Sequence, residues 1–139
     1  MRQALRRLEV STRGKGLTEI TRPVAVFVAG EAIQTGLLTL FCRHTSCSLL
    51  IQENADPDVR TDLEAYFETI APEVPGRYVH DTEGPDDMPA HIRAALTAVS
   101  LSVPVADGRM VLGTWQGLYL FEHRRAPHRR EVVLHLIGE

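Results

Sequence analysis

With 139 residues, 44% of them hydrophobic and 24% charged, the chain can bury one core but not two, which predicts a single domain over 1–139. A formal net charge of −3 supplies no basic field for a polyanion, so nucleic acid is not an expected partner; no window approaches the roughly 18 consecutive apolar residues of a membrane span. The basic start MRQALRRLEV has no apolar signal region behind it, and Cys42 and Cys47 lie in strand-like sequence, so a cytoplasmic protein without a disulfide framework is expected.

Leu5, Leu8 and Val10 begin an apolar pattern that ends at the polar turn STRGKG and predict a first strand. Thr21, with Pro23 behind it, carries a helix-start signal, and Val24, Phe27, Val28 and Ala32 follow at helical spacing. GLLTLFCRHT and CSLLIQE are short apolar runs, read as two buried strands paired in a hairpin. Asp56 caps a second helix and Pro57 occupies its first turn; Val59, Leu63, Tyr66, Phe67 and Ile70 share one face before APEVPG stops it. A third helix starts near Asp87, Met88 and Pro89, with Asp87 as cap and Ile92, Ala95, Leu96 and Val99 as its buried side. SLSVPV, GRMVLGTW, GLYLFEH and REVVLHLI then give a strand-rich C-terminal half. The elements read are about three helices and a strand-rich remainder.

Three segments hold polar residues that stability alone does not require: His44 to Arg60, Tyr78 to Leu96, and Leu112 to Arg124. In HTSCS, His44 could activate a neighbouring hydroxyl or thiol, whereas Cys47 reads better as a small buried residue. Asp81 and Asp86 read as solvated loop charges, and Asp87 as a cap. The alternative is that His80, Asp87 and His91 supply ligands for a divalent ion or an acid–base pair, since His80 and His91 flank one turn. Trp115 and Gln116, between two glycines, offer either a ligand wall and an oriented amide or a core indole in a bulge. Arg124, Arg125, Arg129 and Arg130 crowd one turn, either as an anion contact or as a solvated loop.

HTSCSLLIQENADPDV, HDTEGPDDMPAHI and GTWQGLYLFEHR, with Arg129 and Arg130, closely resemble the YjbQ family, a group described as secondary thiamine-phosphate synthases, and the likeness runs from about Leu8 to the terminal GE. The resemblance implies an α+β fold with a strongly curved mixed or antiparallel sheet approaching a barrel, a homotrimer, and one pocket where matching polar residues gather. It also implies a weak, secondary synthesis of thiamine phosphate with loss of pyrophosphate, hence an enzyme acting on a phosphorylated or anionic small molecule with help from a divalent metal, zinc or magnesium. A non-catalytic sensor or binding protein for a similar anion is the alternative. Carried over by position, His44, Asp87, His91 and Glu122 are the expected catalytic residues. Thr45, Ser46, Glu53, Asn54, Gln116, His123 and Arg130 are the expected substrate contacts, and His44 and His91, joined by His80 from its place across the turn, are the expected metal ligands.

Overall fold

The computed structural model describes residues 1–139. Its elements in chain order are β1 (Arg2–Thr12), β2 (Gly16–Glu19), α1 (Thr21–Glu31), β3 (Thr35–Cys42), β4 (Cys47–Glu53), α2 (Pro57–Ile70), α3 (Asp87–Leu96), β5 (Ser100–Ala106), β6 (Arg109–Met110), β7 (Gln116–Glu122) and β8 (His128–Gly138). Every strand pairing is antiparallel, in a five-stranded sheet of order β1-β8-β3-β5-β6 and a three-stranded sheet of order β2-β7-β4. The two sheets curl as a half-barrel around one core, so the fold is α+β with three helices.

Alternation decides which side of each strand faces in. Leu38 and Leu40 of β3, Val103 and Val105 of β5 and Leu134 and Leu136 of β8 point inward, where Leu49 of β4 and Leu118 and Leu120 of β7 meet them. Burial of each such side chain stabilises the fold by roughly 1.5–3 kcal/mol. Val24, Phe27 and Val28 of α1 close one side of this core, as the spacing predicts. The helix-start signal at Thr21 works differently from a cap. Its hydroxyl accepts from the Leu118 amide at 2.9 Å and donates to Glu19 at 2.8 Å, tying α1 to β7.

β3 and β4 do not form the expected hairpin. β3 lies between β8 and β5, whereas β4 pairs with β7 in the other sheet. Both strands carry apolar inner faces that are better buried against each other across the core than side by side, and the four residues Arg43 to Ser46 carry the chain from one sheet to the other. Cys42 and Cys47 flank this crossing, free and buried, with their Sγ atoms 3.3 Å apart. α2 has its predicted start, with Asp56 accepting from the Asp58 amide and Pro57 in the first turn, but it buries none of its residues fully, and Tyr66 is exposed.

Candidate functional site

The clearest constellation is built at the start of α3. Pro89 lies in the first turn, where its missing N–H would have had no partner in any case. Asp86, not Asp87, is the cap residue, and neither side chain caps the helix amides. Asp87 is thereby free to work inward: it is 3% exposed and stands one turn before His91, so both side chains share a face. Its Oδ2 lies 2.6 Å from His80 Nε2 and 3.1 Å from His91 Nε2, while Oδ1 accepts from Arg124 Nη1 at 2.6 Å. Glu83 Oε2 stands 3.2 Å from the same His80 nitrogen.

Arg124 fixes this arrangement from β7's end. Besides Asp87 it donates to Asp86 Oδ2 at 3.0 Å and to the Glu83 carbonyl at 3.0 Å. Gly84 makes the latter contact feasible, because its φ of +102° disfavours any side chain and a Cβ would press on Asp86. Burial alone would raise the Asp87 carboxyl, but hydrogen bonding from His80 and the charge of Arg124 hold it below its ordinary value. The Asp87 hydrogen bond in turn raises His80.

One ligand atom from each of His80, Glu83, Asp87 and His91 lies within 4.8 Å of the others. Two imidazole nitrogens and two carboxylate oxygens form a donor set suited to zinc and compatible with other divalent ions. His91 Nδ1 also donates to the Thr45 carbonyl at 2.9 Å, the kind of outer contact that would hold the ring with Nε2 toward a bound ion. The ring can satisfy both Thr45 and Asp87 only when doubly protonated, so an ion at Nε2 would take the place of a proton. Tyr78, His80, Thr82 and Met88 line a shallow, open cleft beside the cluster.

A second polar group is buried in the strands. Glu122 is fully buried and receives Arg130 through two bonds, Nε to Oε1 at 2.8 Å and Nη2 to Oε2 at 2.6 Å. Thr12 donates to Oε1 at 2.6 Å, and the amides of His123 and Arg124 donate to Oε2 at 3.0 and 3.2 Å. The carboxylate that was expected to be catalytic therefore has both oxygens filled by its own chain. Arg130, expected on substrate, is spent on Glu122 and on Ser46 Oγ at 3.0 Å. His123, also expected on substrate, is 1% exposed, with Nε2 2.9 Å from Ser48 and Nδ1 unpartnered; burial and then the charge of Arg93 push it down to about 3.

The profile described as UPF0047 protein YjbQ-like matches residues 6–139. The chain belongs to the YjbQ family. Protein sll1880 of Synechocystis is 54% identical over 132 residues, spanning 95% of this chain and 90% of that one, and YjbQ of Salmonella typhimurium is 43% identical over 96% and 97%. A conserved hypothetical protein of Thermus thermophilus has the same fold with TM-score 0.84 and 40% identity, covering 94% of this chain and 98% of its own. A YbjQ-like protein of unknown function from Sulfolobus solfataricus superposes with TM-score 0.87 at 20% identity over 99% and 100%, a likeness of fold alone.

In this YjbQ-family chain the residues expected at one site fall into several places. His80, Asp87 and His91 converge, and Thr45 joins them through its carbonyl. His44 is not a member of that four-residue cluster; its Nε2 accepts from the Glu131 amide at 2.8 Å, and burial and the Arg130 charge lower it. Glu53, Asn54 and Gln116 form a third group that braces the β4–α2 and β6–β7 connections. Glu53 accepts from Ala55 and Asp56, Asn54 donates to the Thr114 and Gln116 carbonyls, and Gln116 accepts from Gly113. Trp115 is 63% exposed, which rules out the core-indole reading. Glu83 carried no role in the sequence, and the readings of Asp86 as a solvated loop charge and of Arg124 as an anion contact or solvated loop residue both fail. Asp86 in particular is buried and bonded to Arg124 rather than solvated.

Proposed function

We propose that this protein is an enzyme acting on a phosphorylated or otherwise anionic small molecule with the help of a divalent ion held by His80, Glu83, Asp87 and His91. The observation that carries the reading is the convergence of those four donors within 4.8 Å, beside an open cleft. When bound, the ion would supply positive charge to an anionic leaving group. Asp87 positions both rings, Arg124 orients Asp87, and the Thr45 carbonyl sets the His91 tautomer. The weak thiamine-phosphate synthase activity that the family likeness implies belongs to this class of chemistry, since it requires pyrophosphate to leave.

Elemental analysis of protein purified without an affinity tag tests the metal half. About one zinc or other divalent ion per chain is expected after exhaustive dialysis. His91→Ala and Asp87→Asn should lose it with an unchanged circular-dichroism spectrum, and Arg129→Ala should keep it. Absence of stoichiometric uptake, or full retention by His91→Ala, would remove the metal from the reading. A screen of phosphometabolites for thermal stabilisation of the loaded protein tests the substrate half.

A further inference from the structure

Arg93 belongs to the helix that carries Asp87 and His91, but two residues past His91 it projects about 200° around the axis, to another side. Its side chain is only 3% exposed and lines a cavity of about 300 Å³ with Lys15, Gly16, Glu64, Glu68 and Phe121. Nη1 and Nη2 face the Glu68 carboxylate at 3.3 and 3.1 Å, and Nη2 also donates to the Ala71 carbonyl at 2.9 Å. Nε is buried without any partner. Lys15 donates to the same Glu68 oxygen at 2.5 Å and to Glu73 at 3.2 Å.

The arrangement is lopsided in one respect. Glu68 is 47% exposed and comes from the lightly packed α2, yet it is the one acid bonded to a guanidinium that is almost wholly buried. The other acids nearby are committed elsewhere, Glu64 to the Leu17 amide at 3.0 Å and Glu73 to Lys15 and Arg125. The Glu68 carboxylate spends both oxygens on Nη1, Nη2 and Lys15. A tetrahedral oxyanion has further oxygens and more charge, and the arginine fork suits it.

We propose that this cavity binds a phosphate group, free or as a small phosphomonoester, with Lys15 and Arg93 as its cations and the Glu68 side chain as an internal occupant that the ligand displaces. Half-exposed, Glu68 can rotate to solvent without disturbing the core, and a ligand that takes over its bonds to Lys15 and Arg93 meets a guanidinium already desolvated and in place.

The test uses full-length, metal-free protein, so its outcome is independent of the ion at His80 and His91. Inorganic phosphate and methyl phosphate are each titrated at constant ionic strength against chloride, with amide NMR and thermal unfolding as readouts. Shifts at Gly16, Ala65 and Phe121 are expected, and the tighter of the two ligands identifies the source. Glu68→Gln should tighten binding about tenfold, because it removes the competing charge. Lys15→Met added to that variant should abolish the gain. Unchanged affinity in Glu68→Gln, a gain that survives Lys15→Met, or shifts confined to His80 and His91 would each overturn the proposal. If Glu68→Gln does not fold, Lys15→Met alone decides: weaker phosphate binding supports the site, and equal binding overturns it.

Discussion

Replacing Arg130 by alanine should cost about 3 kcal/mol of stability, the lower end of the range for breaking a buried ion pair. The Glu122 carboxylate would lose donors at 2.8 and 2.6 Å, yet would remain fully buried. Thr12 and two backbone amides would still serve it, which keeps the cost from the upper end. Against a typical domain stability of about 5–15 kcal/mol this is a large fraction, and Tm should fall on the order of 10 °C. Urea unfolding followed by circular dichroism at about pH 7.5 and about pH 5 gives both size and sign. In the native chain burial raises Glu122 but Arg130 and Thr12 lower it further, so the pair's contribution is complete above the ordinary carboxylate range and is lost only as pH falls through the depressed value. Without Arg130, burial prevails and the folded value rises above the unfolded one. The variant's deficit should then shrink from pH 7.5 to pH 5 as the carboxylate takes up a proton. A deficit under about 1 kcal/mol, or one identical at both pH values, would refute the reasoning and return Arg130 to the pool of free anion contacts.

His123 should stay neutral over the whole range from about pH 8 to pH 4, because burial holds it down to about 3. Only the unfolded chain then takes up this proton, so stability should decline as pH falls below about 6.5; an NMR titration of the His123 ring between pH 5 and 7 would contradict it. The outer face of the five-stranded sheet exposes Leu5, Leu37, Phe41 and Pro104, and three copies of the chain are expected to meet there. Light scattering should give a trimer mass that Leu37→Glu combined with Phe41→Glu reduces to a monomer, and a native monomer mass unaffected by dilution would exclude the assembly.

Local signals were legible wherever the deciding interactions are themselves local. Asp56 and Pro57 announce α2, and the spacing of Val24, Phe27 and Val28 gives the buried side of α1. Strand partners were not, because β3 and β4 sit next to each other in sequence while each finds its ladder far away. α3 shows the same limit in a helix. Hydrophobicity places Ile92, Ala95, Leu96 and Val99 inside, yet Leu96 is 61% exposed and Val99 lies past the helix end, whereas Asp87 and Arg93 are buried, paired with Arg124 and Glu68. Of the site, His80, Asp87 and His91 were legible from their clustering around one turn. The contribution of Arg124 was not, because a charge crowded among other arginines does not reveal which acids it reaches.

The pairing of β1 with β8 places Arg2 opposite Gly138, and β1 has no other partner in its sheet. A contact between such distant residues closes nearly the longest loop the chain can make, so its entropic cost comes due before its hydrogen bonds form. Folding should therefore start in pairings of shorter reach, such as β5 with β6, and run on the millisecond-to-second scale of sheets rich in distant contacts. Until β8 arrives, β1 is an unpaired strand with both edges open, and in the refolding protein it is the segment most exposed to pairing with another copy.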